Sequence, residues 1–351
     1  MNADLVIVGG GIIGLLSAYE LAHCGIKVTL IDRGDFGKES SWAAGGILSP
    51  LLPWDYDDKV NLLTKDAFPY YLGLNNQLIS ETGMDFELWQ CGLSVINPAD
   101  RERALQWCAS HKFSYSCQDQ NRHLSMHLPG ISQLRTPILL ESLVNYLATS
   151  QVSLLSHTDV TRCQIAKNKI VSIQTSTGKI STEKILVCTG AWSSEIFSDC
   201  LPIQAPKITP VLGQIIAFEN SSIKLDTIMY HDGHYLIPRK DGLILAGSTL
   251  EYVGYSKTIT QEARNNLFEK SIQILPELKD SNIAHHWSGL RPGTINNHPI
   301  IGPHSEVEGL YYNCGHFRYG VAMAPTSAMT AKKWIVGEEI SNDERQFVQQ
   351  L

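Results

Sequence analysis

Charge is scarce in this 351-residue chain: Asp, Glu, Lys and Arg make up 18% of it, below the roughly 25% usual for soluble domains. Lys/Arg clusters and basic tails are missing, and 28 basic against 35 acidic residues leave a net charge of −7. A nucleic-acid binder would carry the opposite footprint. The eight cysteines, at 24, 91, 108, 117, 163, 188, 200 and 314, include no pair separated by only two residues, so zinc-ribbon and redox-pair readings fall away. In a chain this long they read as reduced, mostly buried thiols of a cytoplasmic protein. The apolar run Leu5 to Tyr19 is too short to span a bilayer and contains Gly9, Gly10, Gly11 and Gly14. It is flanked by Asp4 and Glu20, where a signal peptide would want a basic region and a small-residue cleavage site. Fixed-period repeats and long polar linkers are also lacking.

What is present is apolar: 43% of residues are hydrophobic, enough for a large core and about two domains. Asp4 to Val8 reads as a buried parallel strand, Ile12 to Cys24 as a helix ended by Gly25, and Ile26 to Ile31 as a second buried strand. Lys59 to Glu81 is a helical stretch interrupted near Pro69 and stopped by Gly83. Helices are expected again at Arg101 to His111, Leu139 to Ala148 and Gln261 to Leu275. Lys169 to Thr175 and Lys184 to Cys188 read as strands, the latter entering a tight turn at Thr189-Gly190-Ala191-Trp192. Strands dominate from Val211 to Thr249, and a small-residue helix from about Val321 to Val336 precedes Gly337.

Gly9-x-Gly11-x-x-Gly14 falls between the first strand and the first helix. Its glycines permit a tight turn, close approach of backbone to a pyrophosphate, and close packing of helix on strand. The helix N-terminus offers free N–H groups and a positive dipole end to phosphates. Asp32, 18 residues after Gly14, ends the second strand, where an acid accepts hydrogen bonds from ribose hydroxyls and disfavours a 2′-phosphate. These features predict a dinucleotide site without distinguishing NAD from FAD.

Arg291 is the only Lys, Arg, Asp or Glu between His285 and Pro303, and Arg318 is alone in the same way between Gly309 and Ala331. A guanidinium in a long uncharged stretch is expected to be partly buried and to need a partner. A substrate carboxylate suits its planar fork; a structural ion pair or an exposed loop position are equal contenders from these residues alone. Tyr235, Ile237 and Arg239 alternate on one face of a strand. The histidines, including the pairs 123/127, 231/234 and 285/286, lack the context of a metal site, and no metal is expected.

Several segments resemble the D-amino-acid oxidase superfamily: Asp32-Arg33 followed by Ser40-Ser41-Trp42-Ala43-Ala44-Gly45-Gly46-Ile47-Leu48, and the strand-end turn at Gly190. Three later ones, Tyr230 to Arg239, Trp287 to Gly293 and Gly315 to Gly320, are similar to the glycine oxidases within it, a group associated with making the thiazole of thiamine. The resemblance implies an α/β fold with a discontinuous Rossmann-like FAD-binding domain (1–84, 137–209 and 287–351) interleaved with an antiparallel-sheet substrate-binding domain (85–136 and 210–286). It implies FAD contacts at Gly9, Gly11, Ile12, Ile13, Gly14, Asp32, Arg33, Ser40, Ser41, Gly45, Gly46, Ile47, Val160, Gly190, His316, Phe317, Tyr319, Gly320, Val321 and Ala322. Cys314 lies outside the motif in which sarcosine oxidases attach their flavin, so the FAD is expected to be noncovalent. Tyr235, Arg291 and Arg318 would bind and orient the substrate carboxylate. Glycine oxidases carry a histidine where Gly233 stands and a methionine where Leu250 stands, both near the substrate.

The implied activity is oxidation of glycine, sarcosine or a small D-amino acid by hydride transfer to flavin N5, giving a keto acid, ammonia and H2O2 from O2. Such chemistry needs positioning more than a protein acid or base. The alternatives are a dehydrogenase passing electrons to a quinone or carrier, an FAD-dependent tRNA-base demethylating domain, for which the chain lacks a basic surface, and a flavin-binding scaffold or sensor without turnover. Self-association into a homo-oligomer is compatible with each.

Overall fold

The computed structural model describes residues 1–120, 123–196, 205–219 and 223–348; Cys200 lies outside them. The expected strand–helix–strand unit forms as β1 (Leu5–Val8), α1 (Ile12–Ala22) and β2 (Val28–Ile31). Every residue of β1 is buried, because both of its faces are covered. Leu5 and Ile7 pack into a cluster with α1, while Val6 and Val8 belong to a second cluster on the opposite face. This is the period-two alternation of a strand enclosed between two layers.

Around this unit a six-stranded sheet runs in the spatial order Ile300–Pro303, Leu310–Cys314, Ile185–Val187, β1, β2, Ser153–Leu155. All its pairings are parallel except that of Ile300–Pro303 with Leu310–Cys314. A second sheet of eight strands runs in the order Asn282–Gly293, Thr209–Glu219, Ile244–Gly247, His234–Pro238, Ile228–His231, Leu93–Ile96, His123–Leu128, Ser116–Gln120. It is antiparallel apart from the pairing of Ile228–His231 with Leu93–Ile96. A three-stranded meander over Val160–Ala166, Lys169–Thr175 and Gly178–Ser181 completes the sheets.

Three differences from expectation have local causes. The Lys59 to Glu81 stretch divides into Asp58–Thr64 and Ala67–Thr82, so the break falls at Lys65-Asp66 and not at Pro69. Pro69 sits in the first turn of the second helix, where its missing N–H has no intrahelical acceptor to lose. The strand Asn282–Gly293 pairs along the whole of Thr209–Glu219, so residues 282–293 form one ladder of the larger sheet. The antiparallel pairing of Leu93–Ile96 with His123–Leu128 was not legible, since these short, half-polar strands carry little periodicity and are separated in the chain by a helix and a strand.

The helix Gly320–Val336 contains Pro325, which cannot donate to the carbonyl of Val321. That carbonyl instead accepts a hydrogen bond of 2.8 Å from the fully buried Tyr71 hydroxyl. Among the described residues no helix is long and apolar enough to cross a membrane.

Candidate functional site

At the C-terminal end of β1 the backbone turns through Gly9 (φ +105°) into α1. A Cβ on Gly14 would lie 1.8 Å from the Gly9 carbonyl oxygen, so the helix rests directly on the turn. The helix cap, Gly11, has no capping side chain; the Ser41 hydroxyl accepts the Ile12 N–H at 3.0 Å from across the loop. The Asp32 carboxylate accepts from Gly10 N at 2.7 Å and Gly34 N at 2.9 Å, and each oxygen keeps a lone pair for a further donor. Burial raises its pKa, against the pull of those two amides. Arg33 places its guanidinium 4.0 Å above the Trp192 ring and 3.7 Å from Glu39.

From this cradle a cavity of about 610 Å3 runs to Arg291. It is lined by Gly9, Gly11, Ile12, Ile13, Asp32, Arg33, Ser40, Ser41, Gly45, Gly46, Ile47, Val160, Gly190, His316, Phe317, Tyr319, Gly320 and Val321, as expected of one elongated ligand. Gly14 and Ala322 do not reach it. Gly14 faces the Gly9 turn, and Ala322 is fully buried in the core packed around α1. The helix beginning at Gly320 has no side-chain cap, and its first residues border the cavity.

At the far end Arg291 donates to the Thr249 carbonyl at 3.0 Å and the Ser248 hydroxyl at 2.7 Å. Among the described residues it forms no ion pair, and burial lowers its pKa, with Arg318 adding to that effect. Its guanidinium lies over Gly213, where a Cβ would come within 2.3 Å of it. Tyr235 lies over Gly247 in the same way, with 2.6 Å between its hydroxyl oxygen and a Cβ built there. Two glycines on paired strands thus clear a floor for one cation and one phenol. Gly233 and Leu250 also line this end. Asp232 (φ +43°) and Gly233 (φ +79°) form the two-residue turn between Ile228–His231 and His234–Pro238, a backbone that favours Asp-Gly over a histidine at 233.

Arg318 is the exception to the expectation of partial burial: it is exposed. Phe317 (φ +46°) turns the loop there and leaves the guanidinium 5.6 Å from its own ring, at the cavity wall. An uncharged neighbourhood in sequence does not mean burial when the flanking residues form a turn.

Sequence reasoning missed Arg239 as a site residue, although its alternation with Tyr235 was visible. It is 8% exposed, donates to the carbonyls of Leu134 (3.1 Å) and Gly45 (2.9 Å), and also donates to Gln133. Burial, with Arg135 nearby, pulls its pKa down to about 10. It ties the Gly45-Gly46 loop to the larger sheet. Arg239→Met should cost about 2–3 kcal/mol of stability, as expected for hydrogen bonds to a charged group, and should loosen FAD retention, read from the melting curve and by titrating apoprotein with FAD. Gly213 and Gly247 were missed too; isolated glycines inside strand patterns were their signal.

His316 and His234 are buried, each paired with a serine hydroxyl, Ser327 at 2.9 Å and Ser271 at 3.1 Å. Burial pushes their pKa values down to about 3 and about 4. A depressed base favours the native state fully only above the unfolded value near 6.5, and that contribution is lost as pH falls from there towards 4. Urea midpoints should therefore drop between pH 7 and pH 5, and His234→Gln should flatten that drop.

The residues present fit a flavin dinucleotide. The cradle would be filled by any Cβ at Gly9, which would meet the Cys188 carbonyl oxygen at 2.5 Å. Asn313 Oδ1 is buried without a hydrogen-bond partner, in a residue of the cavity wall. Burial raises the Cys314 pKa to about 12, which makes this thiol a poor nucleophile and suits noncovalent binding.

A parallel sheet with a glycine cradle that opens into a chamber floored by an arginine defines a dinucleotide-dependent oxidoreductase. The chain belongs to the FAD dependent oxidoreductase family (DAO), whose model matches residues 4–334, and its cofactor is FAD. It is 37% identical to the glycine oxidase of Pseudomonas putida, an alignment covering 97% of this chain and 96% of that one. A bifunctional ThiO/ThiG protein of Trichormus variabilis is 28% identical, matching 97% of this chain with 53% of its own length. The crystal structure of glycine oxidase from Geobacillus kaustophilus has the same fold, with a TM-score of 0.93 at 22% identity, covering 99% of this chain and 98% of that one.

Proposed function

We infer that this chain is an FAD-dependent amino-acid oxidase acting on glycine and similarly small amino acids or amines. The observation that carries the reading is Arg291, a guanidinium in the cavity wall that forms no ion pair among the described residues, beside the Tyr235 hydroxyl. Its fork and the phenol would hold a substrate carboxylate, turning the α-carbon towards the dinucleotide end of the cavity. Bound FAD supplies a two-electron acceptor for the hydride leaving that carbon and passes the electrons to O2, giving H2O2. The amine reacts in its neutral form, and the imine product hydrolyses to the keto acid and ammonia. His316 is too weak a base to be protonated at neutral pH, which fits chemistry that relies on orientation.

We assign cofactor binding chiefly to the six-stranded sheet and its loops, joined by Val160 of the meander, and substrate binding to the larger sheet, joined by Arg318. The names of the relatives support oxidase over dehydrogenase or scaffold and link the activity to thiamine synthesis. Seven free cysteines among the described residues suit a cytoplasmic setting. The test is anaerobic addition of glycine, sarcosine and D-alanine to the yellow holoenzyme, followed by admission of air. Bleaching and then stoichiometric H2O2 is the expected result; a chromophore that none of them bleaches would overturn the reading.

A further inference from the structure

Arg291 is held by two neutral acceptors, the Thr249 carbonyl and the Ser248 hydroxyl, and both come from an irregular stretch of the larger sheet. Ile215 pairs with Gly247 and Leu212 with Glu251, so residues 213 and 214 stand opposite three residues, 248 to 250. The extra residue makes a bulge, which frees backbone groups from the ladder and turns them elsewhere. Side chains beside the bulge fix its shape. The Thr249 hydroxyl accepts from Gln214 N at 2.9 Å and donates to the Glu251 carboxylate. The same carboxylate oxygen accepts from Gln214 Nε2 at 2.9 Å. Gln214 is fully buried, and its Oε1 accepts the Thr260 N–H at 3.0 Å, so its amide must present Nε2 to Glu251. The Glu251 backbone is clamped to Leu212 by hydrogen bonds of 2.9 and 3.0 Å.

Glu251 does not border the cavity, unlike Ser248, Thr249 and Leu250. Its charge nonetheless reaches Arg291: burial lowers the pKa of that guanidinium, and the Glu251 carboxylate works against the fall. Attraction across one intervening residue leaves the fork open, whereas a contact ion pair would occupy the N–H groups that a ligand carboxylate needs. Resting on the reading of Arg291 as the anchor of the substrate carboxylate, we propose that Glu251 is a positioning residue for that anchor. Through the Thr249 hydroxyl it locks the bulge whose Thr249 carbonyl and Ser248 hydroxyl aim the Arg291 fork into the chamber. Glu251 touches neither substrate nor cofactor, and it moves no proton in the reaction.

The test uses holoenzyme, with methoxyacetate, an unreactive ether isostere of sarcosine, as the probe of carboxylate binding. Its dissociation constant is read from perturbation of the flavin spectrum. Glu251→Ala leaves the Thr249 hydroxyl without its acceptor, and should weaken methoxyacetate about tenfold and raise KM for glycine to match. The fall in kcat should stay within about threefold, because Tyr235 keeps its own floor over Gly247. Glu251→Gln retains an acceptor at Oε1 and should recover most of the binding. Thr249→Val removes the hydroxyl but not the carbonyl; it should reproduce Glu251→Ala, and it carries the test if Glu251→Ala does not fold. In an Arg291→Ala background, Glu251→Ala should lower kcat/KM by no more than about twofold further, read from the dependence of flavin bleaching rate on glycine concentration. A further loss of about tenfold there, the additive result of a merely structural role, overturns the positioning role. So does wild-type affinity for methoxyacetate in both Glu251→Ala and Thr249→Val. Normal binding in Arg291→Ala alone would instead overturn the anchor itself, so the two failures are separable.

Discussion

Arg291→Ala is expected to lose about 3–5 kcal/mol of transition-state stabilisation, or roughly two to three and a half orders of magnitude in kcat/KM for glycine. The size follows from where the guanidinium sits. Thr249 and Ser248 hold it from the side over the Gly213 floor, and burial already lowers its pKa. A carboxylate entering this chamber exchanges water for that fork, and without it the anion is left desolvated and unpaired. Arg291→Lys should recover only part of the loss, because a point charge cannot make two parallel hydrogen bonds or reach both Ser248 and Thr249. Steady-state kinetics across glycine, sarcosine and D-alanine provide the measurement. Near-normal values for all three would remove Arg291 from carboxylate binding. FAD content should stay normal in either variant, since the predicted damage lies at the opposite end of the cavity from the glycine cradle.

Gly14→Ala should act at that other end and more globally. The new methyl group would sit 1.8 Å from the Gly9 carbonyl oxygen and 3.0 Å from its carbon. Both are backbone atoms, which no rotamer change can move aside. Either α1 lifts off the turn or the turn itself changes shape, and each outcome redirects the N–H groups that face the cavity. Overpacking of this kind costs about 3 kcal/mol, and the purified variant should be pale, with a lowered melting temperature that added FAD restores only in part. Gly73→Ala provides the opposite case in the same assay. It lies inside the helix Ala67–Thr82, and a Cβ there meets nothing within 4 Å. Removing a helical glycine at an open position should raise stability by about 0.5–1 kcal/mol. If both variants melt alike, the close packing of helix on turn is not what position 14 requires.

Legibility differed by element for physical reasons. The β1–α1–β2 unit was readable because its information is local: buried strands are continuous apolar runs, and the glycines at 9, 11 and 14 are demanded by turn and packing within a few residues. The helix at Gln261–Ile274 was readable for the same reason, with a Thr260 side chain accepting Ala263 N at 3.2 Å and Pro276 shortly beyond. The strand Asn282–Gly293 was not, because its alternation is blurred by histidines, glycines and a register shift near Ala217/Phe218.

Composition, spacing and resemblance by themselves determined that this chain binds a dinucleotide at its N-terminal strand, and that Arg291 and Arg318 are conspicuous charges. Only the tertiary structure decided that the two arginines differ, one set in a wall over Gly213 and the other exposed at the mouth. The tertiary structure likewise set Gly14 against the Gly9 turn and Ala322 in the core around α1, and brought Arg239 to the Gly45 loop across nearly two hundred residues of chain. The reason is that sequence neighbours report backbone preference and local burial pattern, whereas the environment of a charge is set by strands and loops that meet it from elsewhere in the chain.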